Sequence, residues 1–331
     1  MQTKRLASID IGTNTVRLLI ADIPHDKKII PIAYERVITR LGGNFKPETG
    51  IDKASAERTI KAIDGFGRAI RETGGVAAVF AVATSVVRRA VNKDLFIAEV
   101  LKRTGIMIRV ISGVEEAAYS LAGVLSVVGA NWRSLVFDIG GGSTEFIATE
   151  GAATKGSWSM DMGVVHLTEG FLKKDPPGHD ELTGLNMEIN RVLTALLLNM
   201  ENDGIDPAQY STAKGAALAG TAGTITTLAA MAQGLEIYDQ SKINRFILKK
   251  DDVSSAFNRL SVLTLEQRKK VLTLEKGRED LIVAGAEIAL SVMERFAFDG
   301  LIVSDAGLLE GVLIEKTQGF TPGNEMRCVT Q

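Results

Sequence analysis

Two short segments of the chain each place an aspartate directly before a glycine turn, a pattern suited to holding phosphate. The segments are Asp10-Ile11-Gly12-Thr13-Asn14-Thr15 and Asp138-Ile139-Gly140-Gly141-Gly142-Ser143-Thr144, and an apolar run lies on either side of each. Glycine lets successive backbone N–H groups converge on an anion because no Cβ blocks the approach, and hydroxyl groups add further donors. An aspartate in this position repels phosphate unless a cation lies between them.

The sequence therefore predicts two phosphate turns with a divalent cation, for which Mg²⁺ is the best candidate. Mg²⁺ prefers carboxylates, waters and phosphate oxygens, so Asp10 and Asp138 are candidate ligands. A pair of ordinary glycine hairpins is the alternative, but two copies in matching strand contexts favour phosphate binding. The candidate phosphate-binding residues are Gly12, Thr13, Asn14 and Thr15 in the first turn, and Gly140, Gly141, Gly142, Ser143 and Thr144 in the second.

A pair of adjacent glutamates opens a predicted helix after Ser112. Ser112 and Glu115 have the spacing of a capping box, which gives Glu115 a structural role at the helix start. Glu116 lies about 100° further around the helix and is not needed for the cap. It could orient or deprotonate a water near phosphorus. The competing interpretation is a solvated glutamate favoured by the helix dipole, which the pattern alone favours.

Two further segments follow predicted strands, where open α/β sheets bind ligands. Arg88 comes shortly after the first of these strands and could bind phosphate through both arms of its guanidinium, although an ordinary surface arginine pair fits equally well. The second segment, a glycine turn before a helix, could present N–H groups to an anion, or could be a tight turn without a ligand. Its candidate residues are Gly220, Thr221 and Gly223.

Strands alternate with helices along the chain, which predicts an α/β protein. A division at Gly129 gives a first domain of residues 1–127, a second of 128–318 and a loose tail of 319–331. The predicted strands are 5–11, 15–23, 76–83, 106–111, 134–138, 144–149, 155–161, 213–220 and 301–304. The predicted helices are 52–73, 92–104, 113–127, 164–172, 179–200, 251–261, 264–271, 278–297 and 307–318, with another after Thr224.

Composition limits the classes of function. The 331 residues are 45% hydrophobic and 24% charged with a net charge of −2, typical of a globular protein and without a general basic surface for nucleic acid. Cys328 is the only cysteine, so no intramolecular disulfide forms. Without a signal-peptide pattern or an apolar run of about 20 residues, we expect a cytoplasmic protein that does not enter a membrane. The chain also has no P-loop, and its glycine turns do not match a Rossmann site.

Taken together, these motifs resemble the exopolyphosphatase / guanosine pentaphosphate phosphohydrolase (Ppx/GppA) family in its short two-domain form. Nearly the whole chain takes part in the resemblance, and the order of so many motifs is specific. The matching segments are Asp10-Ile-Gly-Thr-Asn-Thr, Arg40-Leu-Gly, Thr84-Ser-Val-Val-Arg88, Ile111-Ser-Gly-Val-Glu-Glu116-Ala, Asp138-Ile-Gly-Gly-Gly-Ser-Thr-Glu145, Gly163-Val-Val-His-Leu-Thr-Glu169, Gly220-Thr-Ala-Gly-Thr224 and Ser304-Asp-Ala-Gly-Leu-Leu-Glu-Gly311.

The resemblance implies two ribonuclease-H-like domains of the actin, sugar-kinase and heat-shock-ATPase type, flanking a central cleft. It implies that Glu116 activates water, that Arg88 assists, and that Asp138 and Glu145 match acidic positions near Mg²⁺. The implied reaction releases phosphate from polyphosphate or converts pppGpp to ppGpp, and a homodimer is plausible. His166 and Leu309 stand where many relatives have arginine.

Three other functions fit the same fold group. One is a nucleotide-dependent kinase, against which the glutamate pair argues. Another is a sensor that binds guanosine penta- or tetraphosphate without turnover, and the third is an actin-like filament former. Release of phosphate without an acceptor separates the hydrolase from the first two, and light scattering on nucleotide addition reveals the third. The preference between polyphosphate and pppGpp stays open.

Overall fold

A computed structural model describes residues 3–24, 29–43, 45–46, 48–130, 132–271 and 277–318. The predicted loose tail, residues 319–331, lies outside these residues. The chain forms two compact units, of which one combines the residues up to Gly123 with those from Leu308 onward and the other comprises Val124–Gly307. In the described part of the chain, no helix is both long and apolar enough to cross a bilayer.

The strands and helices alternate as the sequence predicts. The strands are β1 (Lys4–Ile11), β2 (Thr15–Ile23), β3 (Ile30–Ile38), β4 (Ala78–Ala83), β5 (Ile108–Val110), β6 (Arg133–Ile139), β7 (Thr144–Glu150), β8 (Ala153–Met160), β9 (Ala217–Thr221), β10 (Ile247–Lys249) and β11 (Gly300–Val303). The helices are α1 (Lys53–Glu72), α2 (Ser85–Arg89), α3 (Lys93–Thr104), α4 (Gly113–Val128), α5 (Val164–Phe171), α6 (His179–Asn202), α7 (Ala222–Ala232), α8 (Gln240–Ile243), α9 (Lys250–Ser261), α10 (Leu265–Arg268), α11 (Ile282–Arg295) and α12 (Leu308–Gln318).

The first unit is built on a sheet of order β3-β2-β1-β4-β5. Strands β1, β2 and β3 form an antiparallel meander, and β4 and β5 run parallel to β1. One face of the sheet packs against α1 and α3 through an apolar cluster that includes Ile9, Ile63, Phe66 and Val100. Because β1, β4 and β5 are parallel, their carboxyl ends meet at one edge, where Asp10 and the segments carrying Arg88 and Glu116 emerge.

The second unit repeats this arrangement with one additional edge strand. Its sheet has the order β10-β11-β9-β6-β7-β8, in which β6, β7 and β8 form the antiparallel meander and β9 and β11 run parallel to β6. Phe137 and Phe146 stack at the centre of its core with ring centroids 6.2 Å apart. Each unit is therefore a ribonuclease-H-like domain, which confirms the predicted α/β fold class.

Helix α12 belongs to the first unit, whereas the sequence-based division places it in the second domain. Its apolar residues Leu309 and Val312 are buried in a cluster with Leu6 and Leu19 of the first sheet. The Ser8 hydroxyl also donates a hydrogen bond of 2.9 Å to the Leu309 carbonyl. The helix covers the sheet face opposite α1, and this burial of apolar surface explains why it returns to the first unit.

Local side-chain and backbone features mark the ends of α1 and α3. Asp52 caps α1 by accepting from the N–H groups of Ala54 and Ser55, and Gly105 ends α3 in the left-handed conformation. Asn92 directly precedes α3, but its side chain does not cap that helix. Its amide group instead exchanges hydrogen bonds of 2.9 and 2.8 Å with the backbone of Ile51, so it stabilises the loop before α1.

Candidate active-site residues in each unit

The first glycine turn has backbone N–H groups available for an anion. The Gly12 N–H donates to the Thr15 carbonyl at 3.0 Å and closes the hairpin between β1 and β2. The Thr13 carbonyl accepts from Gly42 at 2.8 Å, and the Asn14 carbonyl accepts from two N–H groups of the loop after β3. Among the described residues, the N–H groups of Thr13 and Asn14 have no acceptor. The carbonyl groups are thus satisfied by the protein, and the amide groups are left for a ligand.

The aspartate of this turn is neutralised by an arginine on the neighbouring strand. Asp10 and Arg17 are direct cross-strand partners, and the Nε and one terminal nitrogen of Arg17 lie 2.9 and 2.5 Å from Asp10 Oδ2. Asp10 is only 4% exposed, and its Oδ1 is buried without a hydrogen-bond partner in the described part of the chain. Arg17 was not identified from the sequence, although the hairpin register predicts that it faces Asp10.

The second glycine turn repeats the backbone arrangement of the first. The Gly140 N–H donates to the Ser143 carbonyl at 2.9 Å, and the first N–H groups of α5 donate to the Gly140 and Gly141 carbonyls. Gly163 packs so closely on this turn that a Cβ there would lie 2.3 to 2.4 Å from the backbone of Gly141 and Gly142. The N–H groups of Gly141, Gly142 and Ser143 have no acceptor among the described residues, so this turn can also bind an anion.

The aspartate of the second turn faces a carboxylate instead of an arginine. Asp138 and Glu145 are direct cross-strand partners on β6 and β7, so their side chains share one face of the sheet. Glu145 is 2% exposed and accepts a hydrogen bond of 2.8 Å from the Ser159 hydroxyl. Two like charges directly opposite each other repel, and a cation bound by both carboxylates removes this repulsion.

The third glycine turn lies at the same sheet edge as the second, because Thr221 on β9 is the parallel register partner of Asp138 on β6. The Thr221 hydroxyl donates to the Ala306 carbonyl at 3.1 Å. Gly223, in the first turn of α7, lies against the guanidinium of Arg278, which leaves no room for a Cβ. Arg278 adds a cation beside this turn, and it was missed because nothing in its local sequence links it to Gly223.

The two candidate catalytic residues form an ion pair in the first unit. Arg88 on α2 donates from one terminal nitrogen to Glu116 Oε2 at 2.9 Å and to the Ile111 carbonyl at 3.0 Å. Glu116 is 8% exposed. Strands β4 and β5 are parallel neighbours, so the segments that follow them bring these residues together at the carboxyl edge of the sheet. Glu116 is therefore a buried carboxylate held in place by a cation, not a solvated glutamate.

Glu115 forms the predicted capping box. Its Oε2 accepts from the Ser112 N–H at 2.9 Å, and its own N–H donates to the Ser112 hydroxyl at 3.2 Å. The hydrogen bond from the Ser112 N–H lowers the pKa of the Glu115 carboxyl from its ordinary value, and the Ser112 hydroxyl, which donates to the same oxygen at 3.0 Å, and Arg109 lower it further. Glu115 is thus occupied by the helix start, which leaves Glu116 as the glutamate of the pair available for chemistry.

Arg88 and Arg89 have different environments although they are adjacent. The guanidinium of Arg89 lies over the ring of Phe45, 5.6 Å from its centroid, in a cation–π contact. His166 and Leu309, which the family resemblance singled out, also differ in their surroundings: His166 is exposed on α5, whereas Leu309 lies on α12 and is buried against the first sheet. Leu309 is therefore a core residue here, and its position cannot supply a charge to a ligand.

The cation ligands predicted from the sequence are compatible with Mg²⁺, but they do not form a complete set of protein ligands around a metal ion. In the described part of the chain, no three side chains of His, Cys, Asp or Glu lie close enough to hold a metal among themselves. Mg²⁺ commonly binds one or two carboxylates and takes its other ligands from water and phosphate. The facing carboxylates of Asp138 and Glu145, and the orphaned Oδ1 of Asp10, are oxygen donors of this kind.

Comparison with known proteins identifies the family to which the chain belongs. The sequence model of the Ppx/GppA phosphatase family matches residues 19–320. The chain is similar to exopolyphosphatase 2 of Mycobacterium tuberculosis, with 34% identity over 95% of this chain and 99% of that protein. It is 29% identical to the guanosine-5'-triphosphate,3'-diphosphate pyrophosphatase of Vibrio vulnificus, over 93% of this chain and 58% of that protein.

The structural comparison gives the same result. The solved Aquifex aeolicus PPX-GPPA enzyme is 33% identical, with a TM-score of 0.76 over 95% of this chain and 100% of that one. A match of the family model over nearly the whole chain, together with relatives of similar length, establishes the assignment. The protein belongs to the Ppx/GppA phosphatase family.

Proposed function

We propose that the protein hydrolyses the terminal phosphoanhydride bond of inorganic polyphosphate and releases orthophosphate. The observation that carries this proposal is the buried Glu116 carboxylate, which Arg88 holds at the carboxyl edge of the first sheet. A carboxylate in this position can accept a proton from an attacking water, and general-base catalysis of this kind contributes roughly 10²–10⁴-fold in rate.

In the proposed reaction, the water oxygen attacks the terminal phosphorus while a proton passes from that water to Glu116. The bond between phosphorus and the bridging oxygen breaks, and the shortened polyphosphate leaves with the electron pair. Arg88 orients the Glu116 carboxylate and offsets negative charge near the transferred phosphoryl group. Because phosphoryl transfer depends mainly on positioning and electrostatics, these two roles account for much of the expected rate enhancement.

The glycine turns supply the proposed phosphate contacts. Five N–H groups that have no acceptor within the described residues are suited to phosphate oxygens: those of Thr13 and Asn14 in the first unit, and of Gly141, Gly142 and Ser143 in the second. The N-terminus of α7 with the adjacent Arg278 offers a further anion contact in the second unit. Such contacts recognise a phosphate chain and make no demand on a base or sugar.

Mg²⁺ is the cofactor that these residues fit. We propose Asp138 and Glu145 as its ligands in the second unit and Asp10 as a candidate ligand in the first. When bound, the ion would offset the negative charge on the phosphate oxygens. The stronger case is for Asp138 and Glu145, because two carboxylates face each other there, whereas the residue that faces Asp10 is an arginine.

A second candidate substrate is pppGpp, whose terminal phosphoanhydride bond has the same chemistry. The Vibrio relative supports this possibility because its name describes a guanosine-5'-triphosphate,3'-diphosphate pyrophosphatase. Polyphosphate is favoured, since exopolyphosphatase 2 matches this chain over 99% of its own length whereas the Vibrio protein matches over 58%.

One experiment tests the proposal and separates it from the alternatives. Orthophosphate release is measured with Mg²⁺ from long polyphosphate, tripolyphosphate and pppGpp, with the wild type and Glu116→Gln compared on each substrate. We expect release from polyphosphate by the wild type without any acceptor, and nearly none by Glu116→Gln. Binding of pppGpp with no release from any substrate would instead identify a sensor, and release only when an acceptor is phosphorylated would identify a kinase.

A further inference from the structure

A buried arginine in the second unit joins three segments of the chain. Arg268 is the last residue of the short helix α10, and only 4% of its surface is exposed. Its Nε donates to the Leu263 carbonyl at 3.1 Å, one terminal nitrogen donates to the Glu279 carbonyl at 2.8 Å, and the other lies 3.3 Å from Asp175 Oδ1. Burial of a guanidinium is unfavourable unless hydrogen bonds and a counter-charge compensate for the lost water, and Arg268 has both.

One of the three segments carries the cation that lies beside the third glycine turn. This segment precedes α11 and contains Arg278 next to Glu279. The Glu279 carboxylate accepts a hydrogen bond of 2.7 Å from the Gly277 N–H, and the Arg278 carbonyl accepts from two N–H groups at the start of α11, at 2.9 and 3.0 Å. Arg268 adds a contact from outside the turn, at the Glu279 carbonyl. The backbone on either side of Arg278 is therefore fixed.

The exact position of Arg278 matters for any anion at the third turn. Its guanidinium lies against Gly223 in the first turn of α7, so closely that a Cβ there would overlap it. Arg278 is partly exposed, so a ligand can reach it. Charge-assisted hydrogen bonds from a guanidinium require a suitable distance and angle. A small shift of the segment before α11 would therefore weaken anion binding without removing any group that contacts the anion.

We propose that Arg268 is a positioning residue, which holds the segment before α11 so that the Arg278 guanidinium stays at the third glycine turn. This inference rests on the proposed phosphoanhydride hydrolysis, in which Arg278 and the N-terminus of α7 supply an anion contact. Arg268 is buried and does not touch the phosphate chain. It acts through Arg278 on how tightly that chain binds, so its effect belongs to KM and not to kcat.

The test compares Arg268→Gln with the matched control Arg295→Gln. Arg295 is a partly buried arginine near the other end of α11, where one terminal nitrogen donates to the carbonyl and side chain of Asn190 at 3.3 and 3.0 Å. We expect Arg278→Gln to raise KM for long polyphosphate roughly 10-fold, the effect of losing one charge-assisted contact, and Arg268→Gln to raise it roughly 3- to 10-fold with kcat nearly unchanged. The control is expected to lower the unfolding temperature and leave KM unchanged.

The double variant of Arg268→Gln and Arg278→Gln separates positioning from a general loss of stability. If Arg268 acts through Arg278, adding Arg268→Gln to Arg278→Gln raises KM no further, because the effects of coupled residues do not add. A full further increase in the double variant would overturn the positioning role. An unchanged KM in Arg268→Gln, or an equal increase in Arg295→Gln, would do the same.

Two further measurements complete the test. Thermal unfolding of each variant checks the fold, and Arg268→Lys, which keeps the buried charge but cannot join all three segments, takes the place of Arg268→Gln if that variant does not fold. Equilibrium binding of long polyphosphate is measured in a Glu116→Gln background, where turnover is expected to be absent. Unchanged binding after loss of Arg268 rejects the positioning role alone, whereas a wild type that binds polyphosphate normally but releases no phosphate rejects the proposed hydrolysis alone.

Discussion

The two glycine turns of the molecule share a backbone but differ in the residue that faces their aspartate. In both, the N–H of the first glycine donates to a carbonyl three residues later, at 3.0 Å in one and 2.9 Å in the other. In both, the aspartate two residues before that glycine has a direct partner seven positions further along the chain. That partner is Arg17 for Asp10 and Glu145 for Asp138.

This single difference changes the chemistry available at each turn. The pair of Asp10 and Arg17 is already neutral, so the first turn offers its amide groups and an arginine to an anion. The pair of Asp138 and Glu145 places two carboxylates face to face, which are ligands that Mg²⁺ prefers, so we propose that the second turn binds a cation. We therefore propose that the repeated motif serves different functions in the two units, and that the residue facing the aspartate determines whether an anion or a cation binds.

The largest effect is expected at Glu116, which tests whether the first unit carries the proton chemistry. Glu116→Gln keeps the shape and one hydrogen bond of the side chain but cannot accept a proton. We expect phosphate release to fall roughly 10²–10⁴-fold, with binding of polyphosphate and the Mg²⁺ requirement unchanged. The measurement is single-turnover phosphate release with binding measured in parallel. Glu115→Gln is the control, and a Glu116→Gln enzyme with normal turnover would falsify the general-base role.

The next effect tests the difference between the turns directly. Asp138→Ala removes half of the facing carboxylate pair, so we expect little activity at ordinary Mg²⁺ and a weaker Mg²⁺ affinity, by roughly 10-fold or more. Asp10→Ala removes the carboxylate that faces Arg17, and its loss of activity should not be relieved by added Mg²⁺. Mg²⁺ titrations of phosphate release in both variants distinguish these outcomes. If the two titration curves shift equally, the proposed division between the turns is wrong.

A smaller effect separates Arg88 from Arg89. Loss of the Arg88 guanidinium leaves the buried Glu116 without the cation that orients it, and we expect Arg88→Ala to lower kcat/KM roughly 10- to 100-fold. Arg89→Ala removes only the cation–π contact with Phe45, worth about 0.5–1 kcal/mol at an exposed site. Phosphate release and thermal unfolding are compared side by side. If Arg89→Ala lowered phosphate release more than Arg88→Ala did, the assisting arginine would be Arg89 and not Arg88.

The sequence was sufficient to predict the hairpins, because their signals are local. An aspartate and glycine between two apolar runs predicted β1 and β2 with the turn in the right place, and the same pattern predicted β6 and β7. Strand β3 escaped prediction for a physical reason. Most of its residues are exposed, Pro31 interrupts its pattern, and an edge strand needs no clean alternation of buried and exposed residues.

The site was less predictable where it depends on which strands are neighbours. The capping role of Glu115 left Glu116 free, but only the family resemblance implied that Glu116 activates water. Its ion pair with Arg88 depends on the parallel pairing of β4 and β5, which spacing does not show. Arg278 reaches the third turn only through tertiary packing. Residues joined by local spacing could be predicted, and those joined by the sheet order could not.

The smallest effect concerns Glu115, which should influence stability and not turnover. Loss of the capping box in Glu115→Ala is expected to lower the free energy of unfolding by about 0.5–2 kcal/mol while most of the activity remains. The hydrogen bond from Ser112 lowers the pKa of Glu115 in the folded protein, so the carboxylate stabilises the fold above the unfolded-state pKa. This stabilisation should be lost as the pH falls through the lower folded-state pKa. The unfolding temperatures of the wild type and Glu115→Ala should therefore differ near pH 7 and converge in acid.

Two results would contradict this assignment of Glu115. A difference in unfolding temperature that persists unchanged in acid would show that the ionised carboxylate is not what caps α4. A loss of turnover equal to that of Glu116→Gln would mean that both glutamates take part in the chemistry.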